Sequence, residues 1–172
     1  MNAIPVRQSE RLMLIDTVGR LLLFRYEDGT HPPFWATIGG RVLPGETYEA
    51  TAARELAEET GYTDAIGPLI RTRDEVFATA DVATSRWLEH YFEVRRSGGP
   101  IRTSGWTDEE RATIRESRWW TVDELRATTE KILPTWLSAE LAQLLIRSNE
   151  SFASAGPPAT VQPLRPAVCE PE

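Results

Sequence analysis

The chain has 172 residues, 41% hydrophobic and 26% charged, enough for one domain with its own core. Its formal net charge of −7, from 26 Asp and Glu against 19 Lys and Arg, makes it a poor non-specific partner for a nucleic-acid polymer or an anionic lipid surface, neither of which is expected as a partner. No run of about 18 apolar residues occurs, which excludes a membrane-spanning helix.

The opening MNAIPVRQSER has no apolar segment of the signal-peptide kind. Cys169 is the single cysteine, so neither an intrachain disulfide nor a cysteine metal cluster is expected. Both features fit a cytoplasmic protein. Arg11–Asp16 (RLMLID) and Leu21–Tyr26 (LLLFRY) are apolar runs joined by a short Gly-containing link, which predicts a hairpin or two sequential strands. Glu27–Pro33 reads as a loop from its Asp-Gly and Pro-Pro dipeptides. A short strand beginning at Phe34 then leads into the Gly39–Gly40 turn.

A helix is expected from Thr47 to Thr60, with Gly61 as its C-cap. β-like segments follow over 65–82 and 85–96. In the second, His90, Phe92 and Val94 face one way and Glu89, Tyr91 and Glu93 the other. Ser97–Pro100 is a turn. Thr107 with Glu110, and Thr121 with Glu124, have capping-box spacing and mark two short helices. Pro134–Arg147 is predicted as an amphipathic helix with Pro134 in its first turn. Residues 1–150 read as one domain and 151–172 as a Pro- and Ala-rich tail. The apolar face of Trp136–Leu145 and the tail are candidates for the contact of a homodimer, or equally for intramolecular packing.

The densest chemistry lies in GGRVLPGETYEATAARELAEETGY, Gly39–Tyr62. On a helix, Glu55, Glu58 and Glu59 share an arc of about 100°. Ala50, Ala53 and Ala57 form another stripe, expected to lie close against a sheet while the carboxylates look into a cleft. Convergent carboxylates repel unless a cation sits among them. They suit a hard divalent ion such as Mg²⁺, commonly shared with substrate phosphates. A backbone carbonyl of the Gly39–Gly40 turn is a candidate further ligand.

This stretch resembles the Nudix box, G-x5-E-x7-R-E-U-x-E-E-x-G-U, with U a bulky aliphatic residue. Gly40, Glu46, Arg54, Glu55, Leu56, Glu58, Glu59 and Gly61 stand at the specified positions. Tyr62 departs from the pattern, being aromatic. Upstream, Thr37-Ile38-Gly39-Gly40 replaces the frequent Leu-Pro-Gly-Gly. RLMLIDTVGRLLLFRY and RWWTVDEL extend the likeness over roughly residues 10–148.

The resemblance implies an α/β fold, an α/β/α sandwich with a mixed sheet and a loop–helix–loop motif. It implies metal binding (Mg²⁺, with Mn²⁺ as the other candidate) by Glu55, Glu58, Glu59 and the Gly39 carbonyl, with Gly40, Glu46, Arg54 and Gly61 bracing the motif. It also implies hydrolysis of a nucleoside diphosphate linked to another moiety, by water attack on phosphorus. Candidate bases are Glu55, Glu58 and the later Glu109, Glu110 and Glu116, with Glu110 preferred. Arg41, beside the glycine pair, and Arg25, ending LLLFR, are candidate phosphate contacts. Phe34, Trp35, Phe77 and Trp87 are candidates to stack on a base. His31 reads as loop and His90 as sheet packing.

Markers of the ADP-ribose, coenzyme A and dinucleoside polyphosphate branches are not found, which leaves a MutT-like nucleoside triphosphate pyrophosphatase as the default. An isopentenyl diphosphate isomerase would need a cysteine near the sheet, and Cys169 lies in the tail. The alternative outside catalysis is a nucleotide-sugar sensor of the same fold.

Overall fold

A computed structural model describes residues 4–29, 31–79 and 82–154. Residues 155–172, most of the expected tail and Cys169 with it, lie outside the described residues, as does the side chain of Phe77.

The elements, in chain order, are β1 (Val6–Asp16), β2 (Leu21–Tyr26), β3 (Phe34–Ala36), α1 (Tyr48–Thr60), β4 (Leu69–Thr79) and β5 (Val82–Arg96). They continue with α2 (Asp108–Thr113), β6 (Ile114–Trp120), α3 (Val122–Ala127), β7 (Ile132–Leu133) and α4 (Leu137–Ser154). The strands form a mixed sheet ordered β4-β5-β1-β2-β3-β7, with β6 on the other edge of β2. β1 runs parallel to β5, and β2 runs antiparallel to β1, β3 and β6.

The apolar runs of β1 and β2 are buried on both faces because helices cover both. On one face Leu12, Leu14, Leu22, Phe24 and Phe92 pack under Ala52 and Leu56 of α1. On the other, Met13, Ile15, Leu21 and Leu23 meet Leu125 of α3 and Leu137, Leu141 and Leu144 of α4. Each such buried side chain contributes roughly 1.5–3 kcal/mol of transfer free energy. This is the expected α/β/α sandwich. The facing expected for β5 holds: Phe92 and Val94 join the α1 layer, while Tyr91 stacks edge-on against Trp136 at 4.7 Å. Among the described residues, no helix is long and apolar enough to cross a membrane.

Two local expectations change, the starts of β1 and of α4, and one alternative is settled. β1 starts at Val6 rather than Arg11, because β5 continues alongside it to the pair Val6↔Arg86. β1 and β2 do form a hairpin, closed at Ile15↔Leu21, but they diverge beyond it. α4 begins at Leu137, not Pro134. Ile132–Leu133 is held extended against Trp35–Ala36 of β3, and a residue before proline is kept out of the helical region. Pro134 and Trp136 instead lie in the turn that starts the helix, where their carbonyls accept from Leu137 N–H (3.3 Å) and Glu140 N–H (3.1 Å).

Candidate metal centre and active site

The site lies where the chain crosses from β2 to β1. After β3, residues 38–41 leave β2 and pair antiparallel with residues 9–12, through the bridges Leu12↔Ile38 and Ser9↔Arg41. Glu10 N–H donates to Gly40 O at 3.0 Å and Leu12 N–H to Ile38 O at 2.9 Å. Gly39 adopts φ 137°, a region that favours glycine.

α1 is fixed at both ends as expected. Thr47 Oγ1 accepts from Ala50 N–H at 3.1 Å, and Gly61 closes the helix in the left-handed region at φ 73°. The face turned to the sheet is not the alanine stripe, since Ala50, Ala53 and Ala57 are exposed. Thr51, Ala52, Glu55, Leu56, Glu59 and Thr60 are buried instead. The reason is the space left by glycine: a Cβ on Gly40 would meet Glu55 Oε1 at 2.0 Å. The missing side chain is therefore the seat of a carboxylate. Glu59 is held on the same face, where its Oε2 accepts from Gly39 N–H at 2.8 Å and its backbone carbonyl from Trp106 Nε1 at 2.8 Å.

Glu55, Glu59 and Glu110 converge, each offering a carboxylate oxygen within 4.8 Å of the other two. Glu110 arrives from α2, whose capping box fixes it. Its Oε2 accepts from Thr107 N–H (2.6 Å) and Oγ1 (2.8 Å). Burial pushes the carboxyls of Glu55 and Glu59 above the usual carboxylate range, Glu59 well above it. An all-oxygen, largely buried donor set of this kind fits a hard divalent cation. Glu58 stays outside the trio, exposed, with its Oε2 3.0 Å from Arg54 Nη1. Arg54 braces the motif: Nε and Nη2 bind the Glu46 carboxylate at 2.9 and 3.0 Å, and Nη1 reaches Glu55 at 2.7 Å. Tyr62 does the work of the usual aliphatic and adds a bond, being buried in the α1 layer with its hydroxyl donating to Gly99 O at 2.7 Å.

The candidate phosphate contacts separate. Arg25 is engaged by Glu27, with Glu130 at 3.6 Å. Arg41 is exposed and has no carboxylate partner among the described residues. Of the aromatics, Trp35 is core, edge-on to Trp120 at 5.1 Å, and Phe34 stacks on Tyr26 at 5.4 Å. His90 stacks on Tyr48 within the sheet face, and His31 binds Asp28 in its loop.

Two residues of the site escaped the sequence reading. Glu10 is fully buried beneath the turn, where its Oε1 accepts from Gly40 N–H at 3.0 Å, and burial pushes its carboxyl up to about 8. Arg11 donates from Nη1 to Gly39 O at 3.1 Å while its Nε lies 3.3 Å from Glu89. A strand begun at Arg11 left Glu10 outside it. Alternation gives no signal for it, since Gln8 on the same face is exposed while Ser9, Met13 and Ile15 on the other face are buried.

The NUDIX domain family model matches residues 7–139. A Bacillus subtilis (strain 168) protein assigned as an 8-oxo-dGTP diphosphatase is 38% identical over 63 residues, 37% of this chain and 40% of that protein. A Caenorhabditis elegans protein assigned as nudix hydrolase 1 is 30% identical over 93 residues, 54% of this chain and 22% of that protein. The chain thus spans less than half the length of the curated relatives it matches. Among solved structures, the MutT protein of Methanosarcina mazei Go1 superposes with TM-score 0.64 at 19% identity, covering 87% of this chain and 99% of that one. The MutT Nudix hydrolase of Burkholderia pseudomallei gives TM-score 0.63 at 20% identity, covering 81% and 98%. Those two likenesses speak for the fold. With the family model spanning most of the chain and the box on the helix and turn just described, the chain belongs to the Nudix family.

Proposed function

We propose that the chain is a Mg²⁺-dependent pyrophosphohydrolase, Mn²⁺ serving as the other metal, acting on a nucleoside diphosphate linked to another moiety. The observation that carries this reading is the convergence of Glu55, Glu59 and Glu110 within 4.8 Å beside the glycine turn. Glu55 and Glu59 would hold the cation, and the Gly39 carbonyl, which accepts from Arg11 Nη1 at 3.1 Å, would become a further ligand on giving up that bond. Glu58 joins them on exchanging its bond to Arg54. When bound, the cation neutralises charge on the phosphoryl oxygens and lowers the pKa of water. Water attacks one phosphorus of the diphosphate, Glu110 accepts its proton, and the bridging P–O bond breaks to give two phosphorylated products. Arg54, tied to Glu46, keeps Glu55 in place through turnover.

The relatives' assigned names include a diphosphatase of a modified nucleoside triphosphate, which supports a small nucleotide substrate. The test is phosphate release with pyrophosphatase or alkaline phosphatase coupling, over nucleoside triphosphates, nucleotide sugars and dinucleotides, with Mg²⁺, Mn²⁺ or EDTA. Metal-dependent turnover is expected. Ligand binding without turnover in any class would instead favour the sensor.

A further inference from the structure

The last turn of α1 leaves the carbonyls of residues 57–60 without partners inside the helix. Gly61 N–H takes the Ala57 carbonyl at 2.9 Å. The loop 97–106 comes back across the helix end and meets the other three. Arg102 N–H donates to Thr60 O at 2.8 Å, and Trp106 Nε1 donates to Glu59 O at 2.8 Å. Glu58 O lies against the bare Cα of Gly105, where an added Cβ would stand 2.4 Å from it. Tyr62, just beyond the helix, donates to Gly99 O. The loop is therefore a clasp on the segment that carries Glu59.

The same loop runs directly into α2, which carries Glu110. No residue of α2 is buried, so its own packing does not place it. It is held by its ends. At the C-terminal end, Thr113 O accepts from Glu27 N–H at 2.8 Å and Ile114 enters the core. Toward the loop, Arg111 reaches back to Ser104 O at 3.3 Å, and Thr107 closes the capping box on Glu110. Thr107 follows Trp106 in the chain. Trp106 is itself pinned twice, by its indole N–H on Glu59 O and by its ring, edge-on to the buried Phe24 at 5.7 Å. One indole hydrogen bond, one peptide link and one cap thus join the backbone of Glu59 to the carboxylate of Glu110.

We propose that Trp106 and Gly105 are positioning residues. The indole bond draws the loop onto α1, the missing side chain lets it close, and together they set the distance from Glu110 to the carboxylates of Glu55 and Glu59. That this distance governs proton transfer rests on the hydrolase reading above; the positioning itself does not.

The test joins steady-state kinetics, on the nucleotide that the wild type turns over best, to crystal structures. Trp106→Phe keeps a ring for Phe24 and deletes the donor. Gly105→Ala adds the Cβ that meets Glu58 O, at a residue whose φ is not positive, so the backbone itself tolerates it. Each should lower kcat about 10- to 100-fold, the scale of a displacement of about 1 Å, and leave KM and Mn²⁺ affinity at wild-type values. In a Glu110→Gln background neither should lower kcat further, because no base is left to misplace. Arg102→Ala keeps the backbone bond to Thr60 O and should behave as the wild type. Equal losses with and without Glu110, or a parallel loss of Mn²⁺ affinity, would overturn the proposal, since the loop would then support the fold or Glu59 and not the base. If Trp106→Phe does not fold, Gly105→Ala carries the same cycle. In its crystal structure the Glu59 and Glu110 carboxylates should stand further apart than in the wild type, and an unchanged separation would also overturn the proposal. That separation is read without turnover. A wild type inactive on every nucleotide, with the wider separation seen in Gly105→Ala, would overturn the hydrolase reading and leave the positioning intact.

Discussion

Gly40 and Glu55 share one volume: a Cβ on Gly40 would lie 2.0 Å from Glu55 Oε1, closer than any real contact allows. Gly40 is not in the positive-φ region, so alanine there is opposed by the carboxylate and not by the backbone. Gly40→Ala should displace Glu55 and weaken Mn²⁺ binding about tenfold or more, the scale of a disturbed ligand shell. Equal Mn²⁺ affinity in the two proteins, measured by equilibrium dialysis, would mean that Glu55 is not a ligand.

Glu110 is held by a capping box that accepts Gln as readily as Glu. Glu110→Gln therefore keeps α2 and removes the proton acceptor. Its kcat should fall about 10²- to 10⁴-fold, the usual contribution of a positioned base. Glu109→Gln, one residue away, serves as the comparison. Similar kcat in Glu110→Gln and wild type would return the base to Glu55 or Glu58.

Glu46 ties the loop to α1 through Arg54 and Thr51, which lower its pKa from 4.5 to about 2. A depressed folded-state pKa contributes stability above the unfolded value and loses it as pH falls through the folded one. The wild type should exceed Glu46→Gln in urea midpoint at pH above 4.5, and the difference should close as pH approaches about 2. A difference that is constant with pH would mean that the pair contributes packing and not charge.

Tyr62 donates to Gly99 O at 2.7 Å while Arg96 lies over its ring at 3.4 Å. Tyr62→Phe should cost about 0.5–1.5 kcal/mol by urea denaturation. Tyr62→Leu, which restores the usual residue type of the family, should cost more here because the ring contact goes as well. Wild-type stability in both variants would make the aromatic incidental.

Much of the fold was legible because its signals are local. Thr47, Gly61, Thr107 and Thr121 sit where caps belong, and the structure uses each of them. The spacing of Glu55 and Glu59 is also a local property, and it placed them on one side of a helix. Which side of α1 faces the sheet was not local. Alanine tolerates either environment, whereas the depth of Glu55 depends on the glycine pair docking against β1. The burial of Glu10 and the tie from Glu89 through Arg11 to Gly39 likewise join segments 28 to 78 residues apart. No periodicity within a strand announces such a partner. The start of α4 is not local either, since parallel pairing of β7 with β3 holds the residues before Pro134 extended.

The most direct test of the metal centre is Mn²⁺ binding by electron paramagnetic resonance in the wild type and Glu59→Gln. The variant removes one charge yet retains an oxygen to accept from Gly39 N–H. The account predicts stoichiometric binding by the wild type and an affinity at least about a hundredfold weaker in a variant of unchanged fold, beyond the range of outer-shell effects. Equal affinity in the two folded proteins would contradict it, because the ion would then sit somewhere other than between Glu55 and Glu59.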